Sequence, residues 1–192
     1  MRPRDEAKET LILNTALRLI TQTGLAGLKM ADLAREAGVA TGTVYIYFAD
    51  KPALIARLYT YLLRHSLSDL TAGILATDPV RVQIQKMARN YLTENTEHPE
   101  YNAFFEQYFR SPFYEETEIS QAEEQSALQP IYDIVRRGQA ETIIKEVNPD
   151  LLVTLVCGML NELAKQVLYT KQPISEADWT TAFSVLWDGI KR

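Results

Sequence analysis

Between Lys29 and Leu54 the chain reads KMADLAREAGVATGTVYIYFADKPAL, and several residues in this stretch suit contact with a nucleic-acid duplex. Thr41 and Thr43 carry hydroxyls that can donate to phosphate and methyl groups that can rest on the methyl of thymine. Tyr45 can reach a phosphate through its phenol, and Gly42 permits close backbone approach. Lys29 and Lys51 supply positive charge beside them. The same residues admit a plainer reading. Thr41 caps a helix, Tyr45 packs, Lys51 is ordinary surface, and Gly42 merely starts a helix. Phe48 sits at a core spacing with Val44, whereas Tyr47 fits either role.

Two short helices must position these groups. Met30, Leu33, Ala34 and Ala37 share one face of a helix over about 29–37, and Gly38 breaks it. A second short helix covers about 42–47, with Thr41 as its expected N-cap. Small residues at Ala34 and Gly38 allow the two to cross closely, which is a helix-turn-helix arrangement. Upstream, Leu11, Ile12, Thr15, Ala16, Leu19 and Ile20 form a helical stripe that Gly24 is expected to end. Asp50 caps a fourth helix, with Pro52 in its first turn, running to about Leu70.

The remainder is also helical in pattern, for about nine helices in all. A helix restarts at Asp78-Pro79, and an aromatic-rich one spans Tyr101 to Phe109 between the breaks His98-Pro99 and Ser111-Pro112. A long stretch follows from Glu115 to Ala140, with Pro130 as an expected kink. Asn148-Pro149 opens a strongly apolar helix, and Ser175 with Asp178 opens the last one. The spacing predicts an all-α fold, with residues 1–50 as a small three-helix head and 51–192 as a larger helical body.

Composition narrows the chemistry. One cysteine, Cys157, and two histidines, His65 and His98, rule out an intrachain disulfide and argue against a Cys- or His-built metal site. No Gly-rich phosphate loop, G-x-S-x-G elbow or H-E-x-x-H motif occurs, so nothing names an enzymatic reaction, and no cofactor is expected. Met1 to Thr10 is charged with no apolar signal-peptide core after it, and Leu151 to Leu160 is shorter than a membrane span. A soluble cytoplasmic protein follows, with the Leu151 helix buried. The net charge of −5 conceals an asymmetry, since residues 1–60 carry +2 and residues 61–192 carry −7. A mildly basic head permits local phosphate contact, to which Arg2, Arg4 and Lys8 could add. The segment from Glu94 to Glu124 holds nine glutamates against Arg110 alone, and reads chiefly as a solvated face, with an acidic rim for a cationic ligand as the lesser reading.

The head resembles the DNA-binding domain of the TetR family of transcriptional regulators. The matching residues are Gly24, Leu33-Ala34, Ala37-Gly38-Val39, Thr41, Gly42-Thr43-Val44-Tyr45, Tyr47-Phe48, Lys51 and Leu54. Where that family often has Thr or Ser opening the second helix, this chain has Leu28-Lys29, so Lys29 could touch phosphate by charge while the cap is lost. The resemblance implies a homodimer that binds a pseudo-palindromic double-stranded DNA operator through Lys29, Thr41, Gly42, Thr43, Tyr45, Tyr47 and Lys51. It implies repression relieved by a small-molecule effector in the larger domain, with the fourth helix as the lever. Candidate effector-lining residues are Met87, Tyr91, Phe104, Phe105, Tyr108, Phe109, Tyr132, Cys157 and Asn161, for which core packing is the competing reading. Candidate dimer contacts are Leu152, Val156, Met159, Leu163, Trp179, Phe183, Leu186 and Trp187, from two helices per subunit. A helical homodimeric interaction module without specific DNA binding is the alternative.

Overall fold

Helix α1 (Glu6–Gly27) starts where Asp5 presents its carboxylate to the backbone N–H groups of Ala7 (3.1 Å) and Lys8 (3.3 Å). The computed structural model describes residues 5–115 and 118–192. After α1 come α2 (Met30–Glu36), α3 (Thr41–Tyr47), α4 (Lys51–Leu70), α5 (Val80–Glu97) and α6 (Pro99–Phe109). Then follow α7 (Pro112–Glu115), α8 (Glu118–Ala140), α9 (Pro149–Thr170) and α10 (Glu176–Ile190). Among the described residues the fold is all-α, with one isolated β-bridge between Ile144 and Lys191. Capping chemistry sets several starts. Asp50 Oδ1 accepts the Ala53 N–H at 2.8 Å, Asn148 Oδ1 accepts that of Asp150 at 2.8 Å, and Ser175 Oγ accepts that of Asp178 at 3.1 Å.

Two local expectations are corrected, and one holds: Gly24 ends the regular first part of α1. Its φ of +75° is accessible because it lacks a Cβ, and the helix resumes as far as Gly27. The Leu25 N–H freed at the bend donates to Gln107 Oε1 at 3.0 Å. Thr41 is not the cap of α3. Ala40 occupies that position, and Thr41 is the first helical residue. The segment after Ser111 is not only a break, since it forms the short α7.

The chain divides into two compact units, one of Met1–Arg64 with Pro99–Glu124 and the other of His65–His98 with Gln125–Arg192. In the first, Ile12, Ala16 and Ile20 of α1 pack with Leu33 of α2, Val44 of α3, and Leu54, Leu58 and Leu62 of α4. An aromatic cluster extends this core. Tyr59 stacks on Tyr108 with ring centroids 4.4 Å apart and meets Phe105 edge-on at 5.8 Å.

In the second unit, Val80, Ile84, Ala88 and Leu92 of α5 pack with Leu152, Leu160 and Ala164 of α9 and with Trp179, Phe183, Leu186 and Trp187 of α10. The loop before α5 is held by side chains. Arg137 donates to the carbonyls of Ala76 (2.8 Å) and Asp78 (2.7 Å), and Lys86 Nζ reaches Asp78 Oδ2 at 2.8 Å. That lysine and the backbone N–H of Leu75 hold the Asp78 carboxyl below the usual carboxylate range.

Gly138 of α8 sits where a Cβ would press on the Ile144 side chain and come within 2.9 Å of Val80 Cγ1. Gly138→Ala is expected to destabilise the fold by about 1–2 kcal/mol, because overpacking outweighs the gain in helix propensity. Urea denaturation followed by circular dichroism checks this, and an unchanged or higher midpoint would refute it.

The expectation of a buried α9 also needs correction. Among the described residues it is a helix long and apolar enough to cross a membrane by length and composition, yet only Leu152, Leu160 and Ala164 are buried. Apolar residues cover nearly its whole circumference, whereas α5 and α10 cover one side. Asn161, Glu162 and Lys165 interrupt the run, and the last two pair at 2.9 Å.

Candidate nucleic-acid interface

Gly38 joins α2 to α3 with a φ of +67°, a conformation costly for other residues. Its N–H donates to Arg35 O at 3.2 Å, and the next N–H, of Val39, donates to Ala34 O at 3.0 Å, which closes the turn. Val44 and Phe48 are buried and press α3 onto α2 and α4. That burial fixes which way α3 faces. Thr41, Gly42, Tyr45 and Ile46 are left exposed, with Tyr45 49% and Ile46 68% accessible. Nothing lies within 4 Å of where a Gly42 Cβ would stand, so the backbone there is open to close approach from outside.

The other anticipated contacts have different surroundings. Thr43 is half-buried, and its N–H donates to Ala40 O at 2.8 Å. Tyr47 is half-buried and its hydroxyl accepts the Asp5 N–H at 3.3 Å, tying the start of α1 to α3. Lys51 Nζ donates to Ala26 O at 3.2 Å and lies 5.8 Å from the centre of the Phe113 ring. Partial burial there lowers the lysine's pKa below its ordinary value. Lys29 is exposed at the N-cap of α2 and makes no side-chain cap bond. Lys8 is exposed, while Arg2 and Arg4 lie outside the described residues. Ile46 is the residue that sequence reasoning passed over. Its only signal is a β-branched aliphatic side chain set between two tyrosines on a face that Val44 and Phe48 turn outward.

The anticipated effector residues separate into two groups. Phe104 and Tyr108 are buried in the first unit and Phe105 is half-buried there; Phe105 and Tyr108 pack on Tyr59, and Phe104 packs on both of them. They complete that core, and Phe109 lies exposed beside them. Met87, Tyr91, Tyr132, Cys157 and Asn161 belong to the second unit. Tyr91 donates its hydroxyl to Asn161 Oδ1 at 2.9 Å. Burial raises both the Tyr91 phenol and the neighbouring Cys157 thiol above their ordinary ranges, so both stay neutral. Tyr132 lies instead under the Arg136 guanidinium, 5.7 Å from its ring centre.

The anticipated dimer residues divide as well. Leu152, Trp179, Phe183, Leu186 and Trp187 are buried in the core of their own unit, and Trp179, Phe183 and Leu186 also line the cleft between α9 and α10. Val156 and Leu163 are half-buried, and Met159 is exposed. The outward apolar face is made by Leu151, Leu155 and Met159 along α9, with Val185 on α10. A cleft of about 310 Å³ runs between these helices, lined in part by Met159, Leu163, Ala182 and Val185.

Residues 12–58 match the family model described as bacterial regulatory proteins, tetR family, and residues 79–191 match the tetracyclin repressor-like C-terminal domain. An uncharacterised HTH-type regulator of Bacillus subtilis, YvdT, is 36% identical over 70 residues, 36% of each chain. The regulator BetI of Burkholderia ambifaria is 36% identical over 87 residues, 45% of this chain and 41% of its own. The chain thus spans less than half the length of these curated relatives. Among solved structures, a TetR-family regulator from Marinobacter aquaeolei superposes with a TM-score of 0.88 at 22% identity, covering 100% of this chain and 99% of that one. A putative TetR-family regulator from Vibrio parahaemolyticus gives 0.85 at 24% identity, over 96% and 99%. With the C-terminal family model alone covering more than half of the residues and the helix-turn-helix matched ahead of it, this chain belongs to the TetR family of transcriptional regulators.

Proposed function

We propose that this regulator binds a pseudo-palindromic operator as a homodimer, represses from it in the cytoplasm, and releases it when a small molecule binds the larger domain. Residues 1–50 carry the DNA-reading head, and residues 51–192 carry effector binding and dimerisation. The observation that carries this reading is the outward face of α3, where Thr41, Gly42, Tyr45 and Ile46 stand exposed on a helix anchored by Val44 and Phe48. An exposed isoleucine costs solubility, but it suits a thymine methyl in the major groove. Tyr45 suits a phosphate. Lys29 and Thr41 add backbone contacts, while Tyr47 and Lys51 hold the head in shape as well as lying near its edge. One short helix reads few base pairs, so two heads on a two-fold axis are needed for specificity. The exposed α9 face suits the dimer contact. An effector need supply a coupling of only ~1–3 kcal/mol to change operator affinity ~5–150-fold.

Selection of bound duplexes from a random library, followed by anisotropy titration, tests this. An inverted repeat bound by a dimer is the expected product. Tyr45→Ala is expected to weaken binding to all sequences by about tenfold, as the loss of a backbone contact should. Ile46→Ala is expected to relax preference at one base pair per half-site by about 1 kcal/mol, leaving the others unchanged. Failure of a folded dimer to enrich any sequence would favour the interaction module, which the apolar α9 face would also serve.

A further inference from the structure

We propose that the second unit binds a protonated organic amine at Glu94, which makes the effector of this regulator a cation. The proposal rests on the effector reading above. Glu94 lies on α5 with 9% of its surface accessible, and its Oε1 has no hydrogen-bond partner. The Ser66 hydroxyl near the end of α4 lies close to its carboxylate and favours the charged form. Among the described residues it pairs with no lysine or arginine, and Asp69 adds a second negative charge nearby. His65 and His98 lie near enough to favour its charged form through their fields.

A buried carboxylate oxygen without a donor is unfavourable, and natural interiors rarely leave one so. The other buried polar atoms without partners are different in kind. Gln83, Arg89 and Arg137 each hold the fold with another atom of the same group: Gln83 Nε2 to Leu75 O at 2.6 Å, Arg89 to Glu176, and Arg137 to Ala76 O at 2.8 Å. Glu94 alone among them is a carboxyl group, and among the described residues no lysine or arginine pairs with it.

The surroundings narrow the missing group. Glu94 and Asp69 together repel an anion. A metal ion is disfavoured, since no group of three His, Cys, Asp or Glu residues among the described residues could hold one. An N–H donor with positive charge fits a single free carboxylate oxygen best. One helical turn back, Tyr91 offers a largely buried aromatic ring whose hydroxyl is already engaged by Asn161, so it supplies shape rather than charge. Half-buried Met87 lies a further turn along the same helix. An amine carried on an aromatic or alkyl body matches this pairing of one anion with apolar neighbours.

The test uses the full chain and thermal-shift and calorimetric titrations with benzylamine, phenethylamine and tryptamine at millimolar concentration. The corresponding alcohols and carboxylates serve as neutral and anionic controls. The amines are expected to bind and the controls to bind at least about tenfold more weakly, the usual scale for one charge-assisted hydrogen bond. Glu94→Gln is expected to remove that difference. This variant should fold, because burial raises the Glu94 carboxyl above its ordinary range. A carboxyl with a raised folded pKa destabilises the native state above that pKa and not below the unfolded value. Glu94→Gln should therefore raise the melting temperature at neutral pH, and the gain should vanish on acidification toward the ordinary glutamate range. His65, Asp69 and His98 face position 94 in both proteins, so the comparison is made between the two proteins at each pH.

Equal binding of alcohols and amines, full amine affinity in Glu94→Gln, or no amine binding would each overturn the proposal. Release of a selected duplex, measured alongside, separates it from the effector reading. Amines that bind through Glu94 without releasing DNA leave the site standing and refute the effector role. Release by a neutral or acidic compound alone does the reverse.

Discussion

Leu155→Glu is expected to convert the dimer to a monomer and to lower operator affinity at least about a hundredfold, the scale on which linking two binding heads raises avidity. Leu155 is 60% exposed in the single chain, with Leu151 and Met159 one turn away on either side and Val185 on the neighbouring helix. A contiguous apolar face of this kind is rare on monomeric proteins. A glutamate at its centre would have to be desolvated without a partner in a dimer, whereas in the monomer it would simply be solvated. The variant should therefore retain its helical circular dichroism. Sedimentation equilibrium and anisotropy with the selected duplex decide the matter, and a dimeric Leu155→Glu with full affinity would place the interface elsewhere. Trp187→Ala is a poor probe of the same question, because Trp187 belongs to the interior with Phe183 and Leu186.

Tyr59→Ala carries the largest expected cost to folding, about 3–5 kcal/mol, as for other large aromatic truncations in packed cores. Tyr59 is buried and contacts three aromatic side chains of α6: Tyr108 face to face, and Phe105 and Phe109 edge-on with interplanar angles of 88° and 80°. Domains commonly hold only ~5–15 kcal/mol in total, so this one change could leave the first unit largely unfolded near body temperature. DNA binding should fall with it, and Tyr59→Phe should restore most of the loss. Denaturant titration of both variants, read by near-ultraviolet circular dichroism, checks the order. A small effect of the alanine variant would mean that the aromatic cluster fills space without supporting the head.

What was legible in the sequence was local. Gly38 between two short apolar stripes, and Val44 spaced four residues from Phe48, define the turn and the outward side of α3 without any tertiary information. Sequence alone misplaced the α3 cap by one residue, because Thr41 and Ala40 both fit the backbone pattern and the side chain that would decide makes no cap bond. What stayed illegible depended on distant partners. The aromatics of α6 fit a pocket or a core equally well until Tyr59, 49 residues before Tyr108, proves to stack on it. On α9 the apolar residues run round the helix, so periodicity could not show which side meets α5 and α10. The largest side chains, Trp179, Phe183 and Trp187, suit a partner or the interior equally well by type, and in the single chain they lie in the interior where they bury most area. Glu94 failed for the opposite reason. It opens a glutamate-rich segment that reads as solvated, and only its burial in the folded second unit removes it from water.

The interleaving of the two units bears on how the chain is born. The first unit takes Met1–Arg64 and then Pro99–Glu124, with His65–His98 of the second unit intervening. A ribosome adding ~5–20 residues per second leaves the α1–α4 segment without its aromatic cover for several seconds. Throughout that interval Tyr59 and Leu62 have no α6 to close over them, and the Leu25 N–H has no Gln107. Nascent chains stalled before α6 should therefore recruit holdase chaperones, while chains stalled beyond α7 should escape them. Grafting the head onto another body by a single gene junction would meet the same gap permanently, so a working chimaera needs the α6 segment returned as a second insertion.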